Sequence, residues 1–77
     1  MTLLEFLRLR RGLSRTEAAR LVRMLPTDYA LVERGLQAAG DAAAARMTVA
    51  FGYDADTLAS DVACLIEDAL RIRAAAL

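Results

Sequence analysis

The sequence predicts an all-α protein, a single small domain of five helices. Aliphatic side chains and alanine supply most of its 57% apolar residues, since it has two Phe, two Tyr and no Trp. This composition favours helices over sheets. One proline and four glycines suit a few short helix connections. A chain of 77 residues leaves room for one domain and a limited core.

Capping signals predict where the first two helices begin. The segments Thr2–Glu5 (TLLE) and Ser14–Glu17 (SRTE) both have capping-box spacing, in which each end residue satisfies the other's backbone amide. They predict a first helix over residues 3–11, ending at Gly12, and a second helix that runs to about residue 23.

Proline and glycine delimit the next two helices. Pro26 suits the first turn of a third helix, because an N–H there would be unpaired anyway, and Thr27 is a competing cap. Gly35 can take the left-handed conformation that ends this helix. A fourth helix is predicted to start at Asp41 and to stop at Gly52. The side chains expected to turn inward in it are Ala44, Met47 (or Ala45), Thr48 and Phe51.

The final segment has heptad spacing. Asp54 or Asp56 can cap a helix that we expect to continue from Thr57 almost to Leu77. Apolar side chains recur in it at Leu58, Val62, Leu65, Ala69, Ile72 and Ala76. Such a seam usually packs against another helix, so residues 57–77 are predicted to mediate dimerisation. The dimer contacts are assigned to Leu65, Ile66, Ala69 and Ile72.

Charge is distributed unevenly along the chain. Ten arginines balance ten acids, without lysine or histidine; residues 1–46 hold eight arginines against five acids, and residues 47–77 two against five. Zero net charge argues against a generic polyanion binder, but the basic half suits nucleic acid and the acidic half another partner. The exclusive use of arginine is equally consistent with a GC-rich genome.

The sequence offers no support for catalysis. Without histidine there is no histidine-based acid–base or metal chemistry. Cys64 lies near the acidic residues Asp61, Glu67 and Asp68, which disfavour a reactive thiolate. The segment DADTLASD lacks the glycine and the regularly spaced oxygen ligands of a calcium loop. We therefore expect no enzyme activity, cofactor or metal.

Targeting signals are also missing from the sequence. No segment approaches the roughly 20 apolar residues of a membrane-spanning helix. In MTLLEFLRLRR the charge follows the apolar run, which is the reverse of a secretory signal. The single cysteine, Cys64, cannot form an internal disulfide and fits a reducing compartment. These features predict a cytoplasmic protein without a membrane partner.

The most specific motifs lie between Arg8 and Gly35. LRLRRGLSRTEAARLV precedes a segment ending in VERG, and MTVAFGYDADTL follows. Together they resemble the Cro/repressor-type (XRE-like) helix-turn-helix family over about residues 3–58. The resemblance implies a five-helix DNA-binding domain with residues 1–56 as its core. The extension of the last helix is predicted from its heptad spacing, because the last 19 residues lie outside the resemblance. It also implies that Arg8 pairs with Glu33 and that Arg15, at the start of helix two, contacts the DNA backbone.

The sequence departs from the family at the recognition helix. Arg23 replaces the turn glycine, so either this arginine has a positive φ or the turn has another shape. Leu25 replaces the polar cap and cannot cap a helix. The positions that face bases in the family hold Pro26, Thr27, Asp28 and Leu31. Among these Thr27 is the one conventional base reader.

Two functions are compatible with these features. The first is a sequence-specific, phage or bacterial repressor-like transcriptional regulator. It would bind palindromic double-stranded DNA as a homodimer, mainly through arginine–phosphate contacts. The DNA contacts are assigned to Arg15, Arg20, Arg23, Thr27, Leu31 and Arg34. The alternative is a helix-turn-helix scaffold used for protein interaction, as in an antirepressor, an antitoxin or a complex subunit, through its apolar last helix.

Overall fold

A computed structural model describes residues 1–63, and this part of the chain is all-helical, as predicted. Five helices follow one another along it: α1 (Leu3–Arg10), α2 (Arg15–Leu21), α3 (Pro26–Glu33), α4 (Asp41–Phe51) and α5 (Ala55–Leu58). The β-structure of residues 1–63 is one isolated antiparallel bridge. Both α2 and α3 are short, so packing rather than helix propensity must stabilise them.

Side-chain caps begin three of the helices. The Thr2 hydroxyl accepts a hydrogen bond from the Glu5 amide at 3.3 Å, at the start of α1. At the start of α2, Ser14 and Glu17 form both hydrogen bonds of a capping box, and the bond that the Ser14 amide donates holds the pKa of Glu17 below its ordinary value. Asp54 caps α5 by accepting from the Thr57 amide, which decides between the two predicted caps.

The core lies between α2, α3 and α4, with one residue each from α1 and α5. Its buried side chains are Leu4, Ala18, Ala19, Val22, Tyr29, Val32, Met47, Phe51 and Leu58. One inward prediction for α4 is wrong, since Thr48 is exposed and donates a hydrogen bond to the Ala44 carbonyl. Ala43 is buried instead, because residues 43, 47 and 51 share one helix face at intervals of about one turn.

The helix predicted to run on from Thr57 is interrupted almost at once. α5 ends at Leu58, and the following segment pairs with the amino terminus. The Leu3 amide donates to the Ser60 carbonyl at 2.9 Å, and the Val62 amide donates to the Met1 carbonyl at 2.9 Å. These bonds need extended backbone around residue 61, so the prediction of a continuous helix from residue 57 is wrong. The assigned dimer contacts Leu65, Ile66, Ala69 and Ile72 lie outside the described residues.

Candidate nucleic-acid interface

The six side chains assigned to DNA contact are all exposed, on α2, on α3, in their connection and, for Arg34, directly after α3. On α3 the outward face is opposite to the buried face that holds Tyr29, Val32 and Glu33. Successive turns of the helix bring its outward residues into one row. We call the whole set the α2–α3 surface: Arg15, Arg20, Arg23, Thr27, Leu31 and Arg34.

The α2–α3 surface has four arginines, and three of them provide positive charge that is free of salt bridges within residues 1–63. Arg20 and Arg23 line one shallow depression together with Thr16, Met24 and Pro26, so α2 and the connection bring them beside the amino end of α3. Within residues 1–63, no salt bridge engages Arg20, Arg23 or Arg34. Their guanidinium groups therefore project charge into solvent, with Glu17 as a favourable neighbour of Arg20.

The connection between α2 and α3 is a tight turn around Arg23. This arginine has a φ of 56°, the one positive φ found at a non-glycine residue in the described chain. The sequence left open whether Arg23 has a positive φ or the turn has another shape, and the first alternative is correct. Leu25, as predicted, gives no side-chain cap to α3, and Pro26 occupies its first turn.

Arg46 of α4 supports this turn from behind, a contact that the sequence analysis missed. Its Nε donates to the Val22 carbonyl at 2.6 Å and its Nη2 donates to the Arg23 carbonyl at 3.5 Å. Carbonyls at the carboxyl end of a helix lack partners within the helix and attract positive charge. Arg46 thereby stabilises the end of α2 and helps to fix where α3 begins.

We expect Arg23→Gly to raise the free energy of unfolding by about 0.5–1 kcal/mol, because glycine adopts a positive φ without steric cost. Arg23→Ala is the matched control, since it removes the same side chain and keeps the unfavourable φ. Urea denaturation followed by circular dichroism measures both variants. Equal stabilities of the two variants would show that the backbone at residue 23 is not strained.

A buried carboxylate lies directly behind the α2–α3 surface. Glu33 is fully buried, and its Oε1 accepts a hydrogen bond from Arg8 Nε at 2.7 Å. Arg8, itself almost fully buried, also donates from Nη1 to the Leu13 carbonyl at 2.8 Å. The predicted pair of Arg8 and Glu33 is thus confirmed, and it ties the start of the domain to the end of α3.

Arg15 belongs to the same network, which the sequence analysis did not foresee. Its Nε donates to the second oxygen of Glu33 at 3.1 Å, and its Nη2 lies 4.0 Å from Oε1 of Glu5. The capping pattern around residue 14 gave no signal of this contact, because the two residues are 18 positions apart. The residue assigned to DNA contact is therefore also an ion-pair partner in the described structure.

Tyr29 contributes no charge to this region. Its side chain is fully buried, and its hydroxyl has no hydrogen-bond partner in the described part of the protein. Burial raises the pKa of the Tyr29 hydroxyl well above its ordinary value, and the nearby Glu33 carboxylate adds to this effect. Tyr29 is consequently a neutral core side chain on the buried face of α3.

Comparison with known proteins leaves the family of the chain open. No protein-family model matches it, and neither the curated proteins nor the solved structures give a significant match. Within the described residues, no helix has the length and apolar character needed to cross a membrane. The resemblance to the Cro/repressor family consequently rests on the sequence motifs.

Proposed function

We propose that the protein is a DNA-binding transcriptional regulator of the Cro/repressor helix-turn-helix type. In this proposal α2 and α3 dock on the major groove of double-stranded DNA through the α2–α3 surface. One observation carries it: Arg20, Arg23 and Arg34 are exposed on neighbouring elements and form no salt bridge within residues 1–63. Such an arrangement favours contact with phosphates.

Phosphate contacts dominate the proposed binding. The outward row of α3 offers Thr27 and Leu31 to base edges, a small set in which Leu31 can contact a thymine methyl group. Sequence choice then depends on these few side chains and on the shape and deformability of the DNA. We therefore expect moderate specificity together with a steep dependence of affinity on salt.

The proposed functional unit is a homodimer. Two copies joined through Leu65, Ile66, Ala69 and Ile72 would place their α3 helices about one helical turn of DNA apart, ~34 Å. A palindromic operator is the sequence that such a two-fold arrangement reads. The net negative charge of residues 47–77 disfavours contact between this part of the chain and DNA.

Selection from a random duplex library at low and moderate salt tests this function. We expect a palindromic motif that is still enriched at moderate salt. Thr27→Ala is the matched control for base reading: it should change the recovered motif and leave the salt dependence of binding as it was. Uniform weak binding that disappears with salt would contradict sequence-specific recognition.

A second candidate function is protein interaction, favoured by an apolar depression outside the residues of the α2–α3 surface. It lies between α2 and α4 and is lined by Leu21, Ala45, Arg46, Val49 and Ala50. Val49 is 88% exposed and Leu21 is 52% exposed, so two aliphatic side chains of this depression are open to a partner. Absence of DNA enrichment, together with a heteromeric complex that Val49→Asp disrupts, would favour this function over the first.

A further inference from the structure

The Glu33 carboxylate is shared between one buried and one exposed arginine. Arg8 Nε binds Oε1 at 2.7 Å, and Arg15 Nε binds Oε2 at 3.1 Å. The Arg15 side chain is 43% exposed, whereas that of Glu33 is 1% exposed. The buried pair therefore forms a fixed support, and Arg15 extends from it towards solvent as part of the α2–α3 surface.

The contact with Glu33 leaves most of the Arg15 guanidinium available. An arginine has five N–H donors in a planar fork, and Glu33 accepts from the single one on Nε. The Nη2 atom lies 4.0 Å from Glu5, beyond hydrogen-bond distance, and no other hydrogen bond engages the two Nη groups within residues 1–63. Both Nη groups can consequently bind the oxygens of a phosphate while Nε stays on Glu33.

We propose that Glu33 is a positioning residue for a phosphate contact made by Arg15. The carboxylate, itself fixed by Arg8, holds the guanidinium so that its Nη groups point to the DNA backbone. This restricts a flexible side chain before binding and lowers the entropy lost when the complex forms. The inference rests on the proposed function, and it predicts that removing the negative charge of Glu33 weakens DNA binding although DNA is negatively charged.

A double-mutant cycle on DNA affinity tests the proposal. Glu33→Gln keeps the size of the side chain and removes its charge, and we expect it to weaken binding roughly tenfold. In the Arg15→Ala background the same substitution should change affinity little, because the group that it positions is gone. Tighter DNA binding by Glu33→Gln would contradict the proposal, because it would show that Glu33 merely neutralises the charge of Arg15. An equal loss of affinity in the wild-type and Arg15→Ala backgrounds would also contradict it, because Glu33 would then act through the fold.

Two further measurements keep the outcome decisive if Glu33→Gln unfolds. Arg15→Lys retains the charge but lacks the planar fork, so we expect it to bind DNA as weakly as Arg15→Ala; wild-type affinity would overturn the proposal. In the free protein, the NMR signal of Arg15 Nε–H should exchange slowly with water, and rapid exchange would also overturn it. If the wild-type protein binds no duplex at all, the proposed function fails as well, whereas binding without coupling overturns this inference alone.

Discussion

Replacing Arg8 with alanine is expected to lower the free energy of unfolding by about 3 kcal/mol. The substitution removes the hydrogen-bond donor to Oε1 of Glu33, a fully buried carboxylate. It also leaves the Leu13 carbonyl without its side-chain donor. Arg15 remains on the other carboxylate oxygen, so the expected loss is at the lower end of the range for a broken buried pair. Such a loss is a large share of the stability of a small domain.

Urea denaturation of three variants separates the possible causes of this loss. Arg10→Ala removes an exposed arginine of the same helix, which lies over the Phe6 ring. It should lower the free energy of unfolding by less than about 1 kcal/mol. The double substitution Arg8→Met with Glu33→Leu should be more stable than Arg8→Ala, because no buried charge is left behind. If Arg8→Ala is no less stable than Arg10→Ala, the buried pair does not stabilise the fold.

The elements that the sequence predicted well are those that depend on near neighbours. The capping box at Ser14 and Glu17 joins residues three positions apart, and the structure contains both of its hydrogen bonds. The left-handed glycine at the end of α4, Gly52, has a φ of 82° and stops the helix as expected. Such signals are readable because each involves a single helical turn.

The elements that the sequence did not predict depend on distant parts of the chain. Arg46 binds carbonyls at residues 22 and 23, and the bridge around residue 61 pairs with the amino terminus. Heptad spacing indicates which side chains share a face, but it carries no information on whether the backbone between them stays helical. For this reason the heptad spacing of apolar residues continues past Leu58, although α5 ends there.

The residues assigned to DNA contact are exposed, but the sequence did not predict the contacts that one of them makes within the protein. All six residues of the α2–α3 surface are exposed. For Thr27 and Leu31 this follows from helix periodicity, which places them on the outward face of α3. The ion pair between Arg15 and Glu33 was not predicted, since nothing in a local pattern distinguishes an arginine that reaches a buried carboxylate from a solvated one. Tertiary structure alone brings these two groups together.

The second large effect is expected in DNA binding, on removal of Arg20, Arg23 and Arg34, the three arginines of the α2–α3 surface that form no salt bridge within residues 1–63. A protein that neutralises phosphates releases counterions, so the logarithm of its affinity falls with the logarithm of salt concentration by about 0.9 per phosphate contact. The combined variant Arg20→Ala, Arg23→Ala and Arg34→Ala should therefore have a slope shallower by about 2.7, if each arginine contacts one phosphate. Titrations of a fluorescent duplex at several salt concentrations measure this slope.

Single substitutions identify the arginines that contact phosphates. Arg20→Ala and Arg34→Ala should each weaken binding to all duplexes by a similar factor, because a phosphate carries no sequence information. Arg10→Ala is the charge-matched control, since Arg10 is exposed on α1 outside the α2–α3 surface and should leave the slope unchanged. A combined variant that keeps the wild-type slope would exclude the α2–α3 surface as the interface with DNA. A slope equally sensitive to Arg10→Ala would mean that net charge, rather than this surface, determines the affinity.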